Sequence, residues 1–292
     1  MTFGARDPET AAAFYRDLVG LAIVDRAGDG AVYLTTDRHH HCLVLHPAPS
    51  RALQRVAFEV GSPAELERAR GALEARAVER VESSPFACER SLAYRGPDGL
   101  VIELLAGVAK THVGAGGGVH RPLKIGHVGV RVTDIDAALA FYTESMGFRL
   151  SDWIGHSVAF LRCNSDHHAL VLIADPPGEG ASKLHHLAFE ADGWESFRRQ
   201  ADRLALARRP LEWGPGRHAP SGNLFMYFRD DEGNRIEWMA DADQIWDDEA
   251  KEVRVHDPRD PRTWNLWETM PPPGFMTSLD ADEPARAVPP LE

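Results

Sequence analysis

Three residues in the second half of the chain have the types and spacing of a metal site: His127, His186 and Glu237. His127 and His186 each open a strand-like run, and Glu237 sits on the last one. Two imidazoles and one carboxylate on separate strands of one sheet can point at one place. Such a set leaves coordination positions open, which suits non-haem Fe(II) where O2 and a second reactant must both reach the metal. Sulfur is a poor basis for a site here, because the chain has 14 His but only three widely spaced Cys, Cys42, Cys88 and Cys163.

The elements that must position these residues occur twice. Asp7 to Leu21 matches Asp134 to Phe148, with Phe14-Tyr15 over Phe141-Tyr142, at an offset of 127 residues. Val56-Ala-Phe-Glu-Val60 matches Leu187-Ala-Phe-Glu-Ala191, and Arg95 to Glu103 matches Arg229 to Glu237, so the offset grows to 131 and then 134. Growing offsets are expected when surface connections absorb insertions and packed elements do not. In the second copy, Val128–Val132 alternates as a half-buried strand. Asp134 or Asp136 then offers an N-cap to a helix ending at Gly147. Ser157–Arg162 and Ala169–Ile173 read as strands around an Asn164-Ser-Asp166 turn, and Leu184–Glu190 as another. Trp194–Ala207 reads as an amphipathic helix, and Asn223–Phe228 with Arg235–Met239 as a hairpin. The first copy acts as an internal control. Glu103 matches Glu237, but Arg55 stands where the second copy has His186, and the position matching His127 falls before Met1. The first half is therefore expected to lack the site and to have a clipped, poorly paired first strand. His39-His40-His41, on a turn in that half, is expected to be solvated and incidental.

The chain has 292 residues, 43% of them hydrophobic and 26% charged, a composition and length that suggest two domains. The repeat divides it into a first domain over 1–107, a linker over 108–121 and a second domain over 122–245. The linker contains the flexible Gly114–Gly118 stretch. An acidic, Pro-rich tail follows over 246–292. Residues 241–292 hold 13 acidic and 5 basic side chains, eight of the chain's twelve net negative charges. Trp246, Trp264 and Trp267 suggest that the first part of the tail packs on the body, and Thr277–Glu292 reads as disordered. A net charge of -12 gives no support to a nucleic-acid or anionic-membrane partner. With no basic and apolar leader, no long apolar span and no disulfide framework, the expected location is the cytoplasm.

Gly126-His127-Val-Gly-Val-Arg-Val132, His185-His186-Leu-Ala-Phe189 and Asp231-Glu-Gly-Asn-Arg-Ile-Glu237 resemble the two-domain extradiol ring-cleaving dioxygenases of the vicinal oxygen chelate superfamily, such as biphenyl-2,3-diol and catechol 2,3-dioxygenases. The resemblance covers about residues 1–245. It implies an α+β fold of paired βαβββ modules in each half, with a metal only in the second. His127, His186 and Glu237 would be the ligands of Fe(II), with Mn(II) the alternative. Leu161–Leu170 is similar to the run that carries the family's acid/base His, which gives that role to His168. Gly214-Pro-Gly-Arg-His218 resembles a loop whose His lies near bound substrate, and Tyr227 falls on an active-site Tyr. The implied reaction cleaves a substituted catechol with O2 to a muconic semialdehyde-type product. The resemblance also implies a homo-oligomer. Arg217 would suit a carboxylate substituent, whereas Trp153, Trp213 and Phe225 would suit an alkyl or aryl one. The alternatives are another metal-dependent enzyme of the superfamily, of isomerase, epimerase or glyoxalase type, and a non-enzymatic small-molecule binding protein.

Overall fold

The computed structural model describes residues 1–83, 86–112, 121–175 and 184–276. The Gly114–Gly118 stretch and Thr277–Glu292 lie outside the described residues. In the first half, β1 (Thr2–Ala5), α1 (Pro8–Phe14), β2 (Ala22–Arg26), β3 (Val32–Thr35) and β4 (Leu43–Pro47) form one βαβββ module. A second consists of β5 (Ala52–Glu59), α2 (Pro63–Ala75), β6 (Arg80–Val81), β7 (Cys88–Arg95) and β8 (Val101–Val108). The second half repeats the order with β9 (Lys124–Val132), α3 (Ile135–Ala140), β10 (Arg149–Ile154), β11 (Val158–Arg162) and β12 (Leu170–Ala174). Its other module is β13 (Leu184–Glu190), α4 (Gly193–Leu206), β14 (Trp213–Arg217), β15 (Leu224–Arg229) and β16 (Arg235–Ala240). Each module pairs its first strand in parallel with its last, and the remaining pairs are antiparallel. The two modules of a half join through their first strands, β1 with β5 and β9 with β13. The fold is thus α+β, with an eight-stranded and a nine-stranded sheet.

Local chemistry explains why the two halves share this plan. Asp7 accepts hydrogen bonds from the Glu9 and Thr10 amides at 3.1 and 3.2 Å, and Asp134 accepts from the Ala137 amide at 2.9 Å, so equivalent carboxylates start α1 and α3. Each helix runs on into a π-helical turn, and Gly20 and Gly147, at φ 93° and 76°, then reverse the chain in the left-handed region. The halves are fastened across their boundary. The buried Tyr15 hydroxyl donates to Asp230 Oδ2 at 2.8 Å, and Gln200 Nε2 donates to the Leu18 carbonyl at 3.1 Å.

Three expectations and one omission need correction. β1 is short but pairs on both sides, with β4 and β5, because Phe3 and Ala5 are buried in the core. β10 was not foreseen, since its buried Ser151 and Asp152 break the apolar alternation. The Gly214–His218 segment is the edge strand β14 rather than a loop up to Arg217, and its Gly and Pro residues hide it in the sequence. The tail does pack on the body, but not through Trp246, which is 82% exposed. It adds strand β17 (Arg254–His256) in parallel to β10 and then the short helix α5 (Pro261–Trp264). Among the described residues no helix is long and apolar enough to cross a membrane.

Candidate active site

His127 is the fourth residue of β9, His186 the third of β13 and Glu237 the third of β16; both histidines sit inside their strands rather than at the openings. β13 lies between the other two, so all three side chains reach the same face. His127 Nε2 is 2.8 Å from His186 Nε2 and 3.0 Å from Glu237 Oε2, and His186 Nε2 is 3.3 Å from the same oxygen. Donor atoms about 2.1 Å from a divalent ion and at right angles to one another stand about 3 Å apart, so the set fits one metal held on three adjacent positions. Gly129 makes room for it. A Cβ there would run into the His186 ring, which lies across β9 at that position.

The groups behind the donors are also in place. Tyr227, paired with Glu237 across β15 and β16, donates its hydroxyl to Glu237 Oε2 at 2.9 Å, and Asn223 Nδ2 donates to Oε1 at 3.2 Å. With Nε2 of His186 turned to a metal, its Nδ1 carries the proton and donates to His185 Nδ1 at 2.7 Å. His185 Nε2 lies 2.9 Å from both the Phe275 carbonyl and Arg235 Nη1. His127 Nδ1 is buried without a hydrogen-bond partner among the described residues. Burial would raise the Glu237 carboxyl, but facing His127, His218 and the Tyr227 hydroxyl hold it below its ordinary value. Burial first, then the neighbouring imidazoles, pushes His186 and His168 well below the usual histidine range, and burial beside Glu237 pushes the Tyr227 phenol well up.

His168 and His218 join the same cavity, which encloses about 510 Å3 between atoms, part of it open to solvent. The His168 ring lies 4.2 Å from that of His127. His218 follows β14, lies flat on Phe225 at 3.8 Å between ring centres, and donates from Nδ1 to the Trp264 carbonyl at 2.7 Å. That leaves its Nε2 as a lone pair, 3.1 Å from the Tyr227 oxygen, whose one proton points to Glu237. All six residues singled out from the sequence are therefore brought together. The remaining walls are mainly apolar, including Ile154, Val158, Val171, Ile173, Phe275 and Trp264. Trp213 is also on the wall, but Trp153 packs in the core, Phe225 supports His218 from beneath, and Arg217 is not among the lining residues. Asn223, Gly129 and the tail residues Trp264 and Phe275 were missed, because nothing in their local sequence marks them.

The profile of the Glyoxalase/Bleomycin resistance protein/Dioxygenase superfamily matches residues 1–104 and 124–238. The chain belongs to this superfamily. Proteins similar to it include the manganese-dependent 2,3-dihydroxybiphenyl 1,2-dioxygenase of Geobacillus genomosp. 3, at 28% identity over 80% of this chain and 81% of that protein. The metapyrocatechase of Pseudomonas sp. strain CF600 is 28% identical over 82% and 84% of the two chains. These relatives are extradiol catechol dioxygenases, in line with the resemblance drawn from the sequence. Among solved structures, a Mn(II)-bound glyoxalase from Novosphingobium aromaticivorans superposes with a TM-score of 0.84 at 27% identity, covering 98% of this chain and 95% of that one.

Proposed function

We propose that this superfamily member is a metal-dependent extradiol dioxygenase that opens a catechol ring beside the diol, with both atoms of O2 ending in a muconic semialdehyde-type product. The observation that carries this reading is the convergence of His127, His186 and Glu237, donor atoms within 3.3 Å of one another, on the wall of a mainly apolar cavity. These residues hold Fe(II) or Mn(II), which when bound supplies Lewis acidity favouring the ionised diol and coordination positions for both reactants. His168 takes a proton from the diol and returns it as the ring opens, a role that contributes about 100- to 10,000-fold. Tyr227 and His218 hydrogen-bond the diol oxygens, and the apolar walls keep bulk water from the reacting ring. With no Lys or Arg among the described lining residues, the cavity favours a neutral alkyl or aryl substituent over a carboxylate.

The likeness to a Mn(II)-bound glyoxalase supports a second reading, in which His168 would move a proton between carbon atoms without O2 and a bound metal would supply Lewis acidity. An oxygen electrode separates the two. Protein loaded anaerobically with Fe(II) or Mn(II) is expected to consume one O2 per diol with 3-alkyl- or 3-aryl-catechols. A metal-loaded protein that takes up no O2 across a catechol panel would sink the dioxygenase reading.

A further inference from the structure

His168 lines the cavity, whereas its neighbour His167 turns the other way, toward the unforeseen strand β10. His167 Nδ1 lies 3.1 Å from His168 Nδ1, and His167 Nε2 lies 3.0 Å from Asp152 Oδ2. All three residues are buried. Asp152 Oδ1 accepts from Lys251 Nζ at 2.7 Å and from the Arg254 amide at 2.9 Å; Arg254 Nη2 and His256 Nε2 lie 3.3 and 3.5 Å from Oδ2. Burial alone would raise the Asp152 carboxyl, but His167 and the groups of residues 251–256 hold it well below the usual carboxylate range. It is an ionised acceptor with nothing to donate.

That fixes a direction for the whole chain. His167 must carry its proton on Nε2 to donate to Asp152. Burial pushes its pKa down and keeps the ring neutral, so its Nδ1 is a lone pair. His168 Nδ1 must then be the donor between the two rings, which leaves its other nitrogen unprotonated. We infer that Asp152 is a positioning residue that, through His167, sets the tautomer of His168 and so presents Nε2 to the cavity as a base. The use of that base on a diol rests on the dioxygenase reading; the tautomer does not. Lys251, Arg254 and His256 all belong to the tail, so the segment that first reads as an appendage holds the far end of the chain.

Asp152→Asn tests the inference because one amide cannot fill both roles. Its single oxygen is claimed by Lys251 Nζ and the Arg254 amide, both obligate donors, so its NH2 faces His167 Nε2. His167 then accepts there, carries its proton on Nδ1 and donates to His168, whose proton moves to Nε2. In the metal-loaded full chain the expected result is a kcat about 100-fold lower or more, with metal content and the KM for 2,3-dihydroxybiphenyl unchanged. Anaerobic neutron diffraction from D2O-exchanged, metal-loaded crystals reads the protons directly. It should place deuterium on His168 Nδ1 in the wild type and on Nε2 in the variant. Deuterium on Nε2 of wild-type His168, or a variant with wild-type kcat, would overturn the inference. Should the variant not fold, the wild-type map alone decides. A wild type that takes up no O2 defeats the dioxygenase reading and leaves the map to judge the tautomer.

Discussion

The two sheets share one strand order and several matched side chains, yet differ at the residues that would hold a metal. In the first half His40 and His41 stand in the same register as His167 and His168, before the matching strands β4 and β12. Their Nδ1 atoms are 3.1 Å apart in both halves, with ring centres 5.3 Å apart at 87°. The triplet His39–His41 is therefore partly buried and structured, not the solvated turn that its sequence suggests. Burial first, with the chain's amino group and His40, lowers His41 to about 3. Where the second half has His186 facing Glu237, the first has Arg55, whose Nη1 pairs with Glu103 Oε1 at 2.9 Å, while Ser83 donates to the same oxygen at 2.6 Å. A cation built into the chain sits where the other half would present an imidazole to a metal. Phe86 stacks on Tyr33 at 4.4 Å and covers His40 and His41, whereas the matching Phe160 and His168 line the open cavity. The outer link differs as well: His40 Nε2 stands 3.8 Å from Asp25, whose side chain is 44% exposed, against 3.0 Å to the fully buried Asp152. Among the described residues no strand of the tail covers Asp25 as β17 covers Asp152. Only the half in which three candidate metal donors replace the salt bridge, under the tail, presents the candidate site.

This contrast can be broken or sharpened by substitution. His186→Ala removes a metal donor, and turnover should fall about a thousandfold or more, the several kcal/mol that a metal supplies. Arg55→Ala, its counterpart, should leave kcat unchanged; steady-state O2 uptake checks both. Gly129→Ala pushes a methyl group into the His186 ring and should weaken metal affinity about 10- to 100-fold in an anaerobic titration. The first half tolerates Thr2 at the equivalent register position because no imidazole crosses there. Tyr227→Phe, which removes the hydroxyl on Glu237 where the first half has Ala93, should cost about tenfold in the same titration. Arg55→Met should leave the metal site intact but lower the unfolding free energy by about 1–3 kcal/mol, read by denaturant titration, because Glu103 loses its cation. The smallest effect is expected from Asp25→Asn, within about 0.5 kcal/mol in stability and with kcat unchanged, in contrast to Asp152→Asn.

The repeat made much of this legible. Matching the copies exposed Arg55 against His186, and the alternation of β9, β13 and β16 put His127, His186 and Glu237 on strands of one sheet. His168, His218 and Tyr227 came only from the family resemblance. What stayed hidden had physical reasons. β10 conceals itself because it buries Asp152 where a strand pattern expects an apolar residue. β14 is masked by the Gly and Pro residues of its Trp-Gly-Pro-Gly-Arg sequence. The contribution of the tail was unreadable because Trp264 and Phe275 act through backbone carbonyls on His218 and His185, and a carbonyl has no signature in sequence.

Anaerobic metal titration tests the central claim most directly. One Fe(II) or Mn(II) per chain is predicted, lost in His186→Ala and retained in Glu103→Gln. Two ions per chain, or one that survives His186→Ala, would contradict the account.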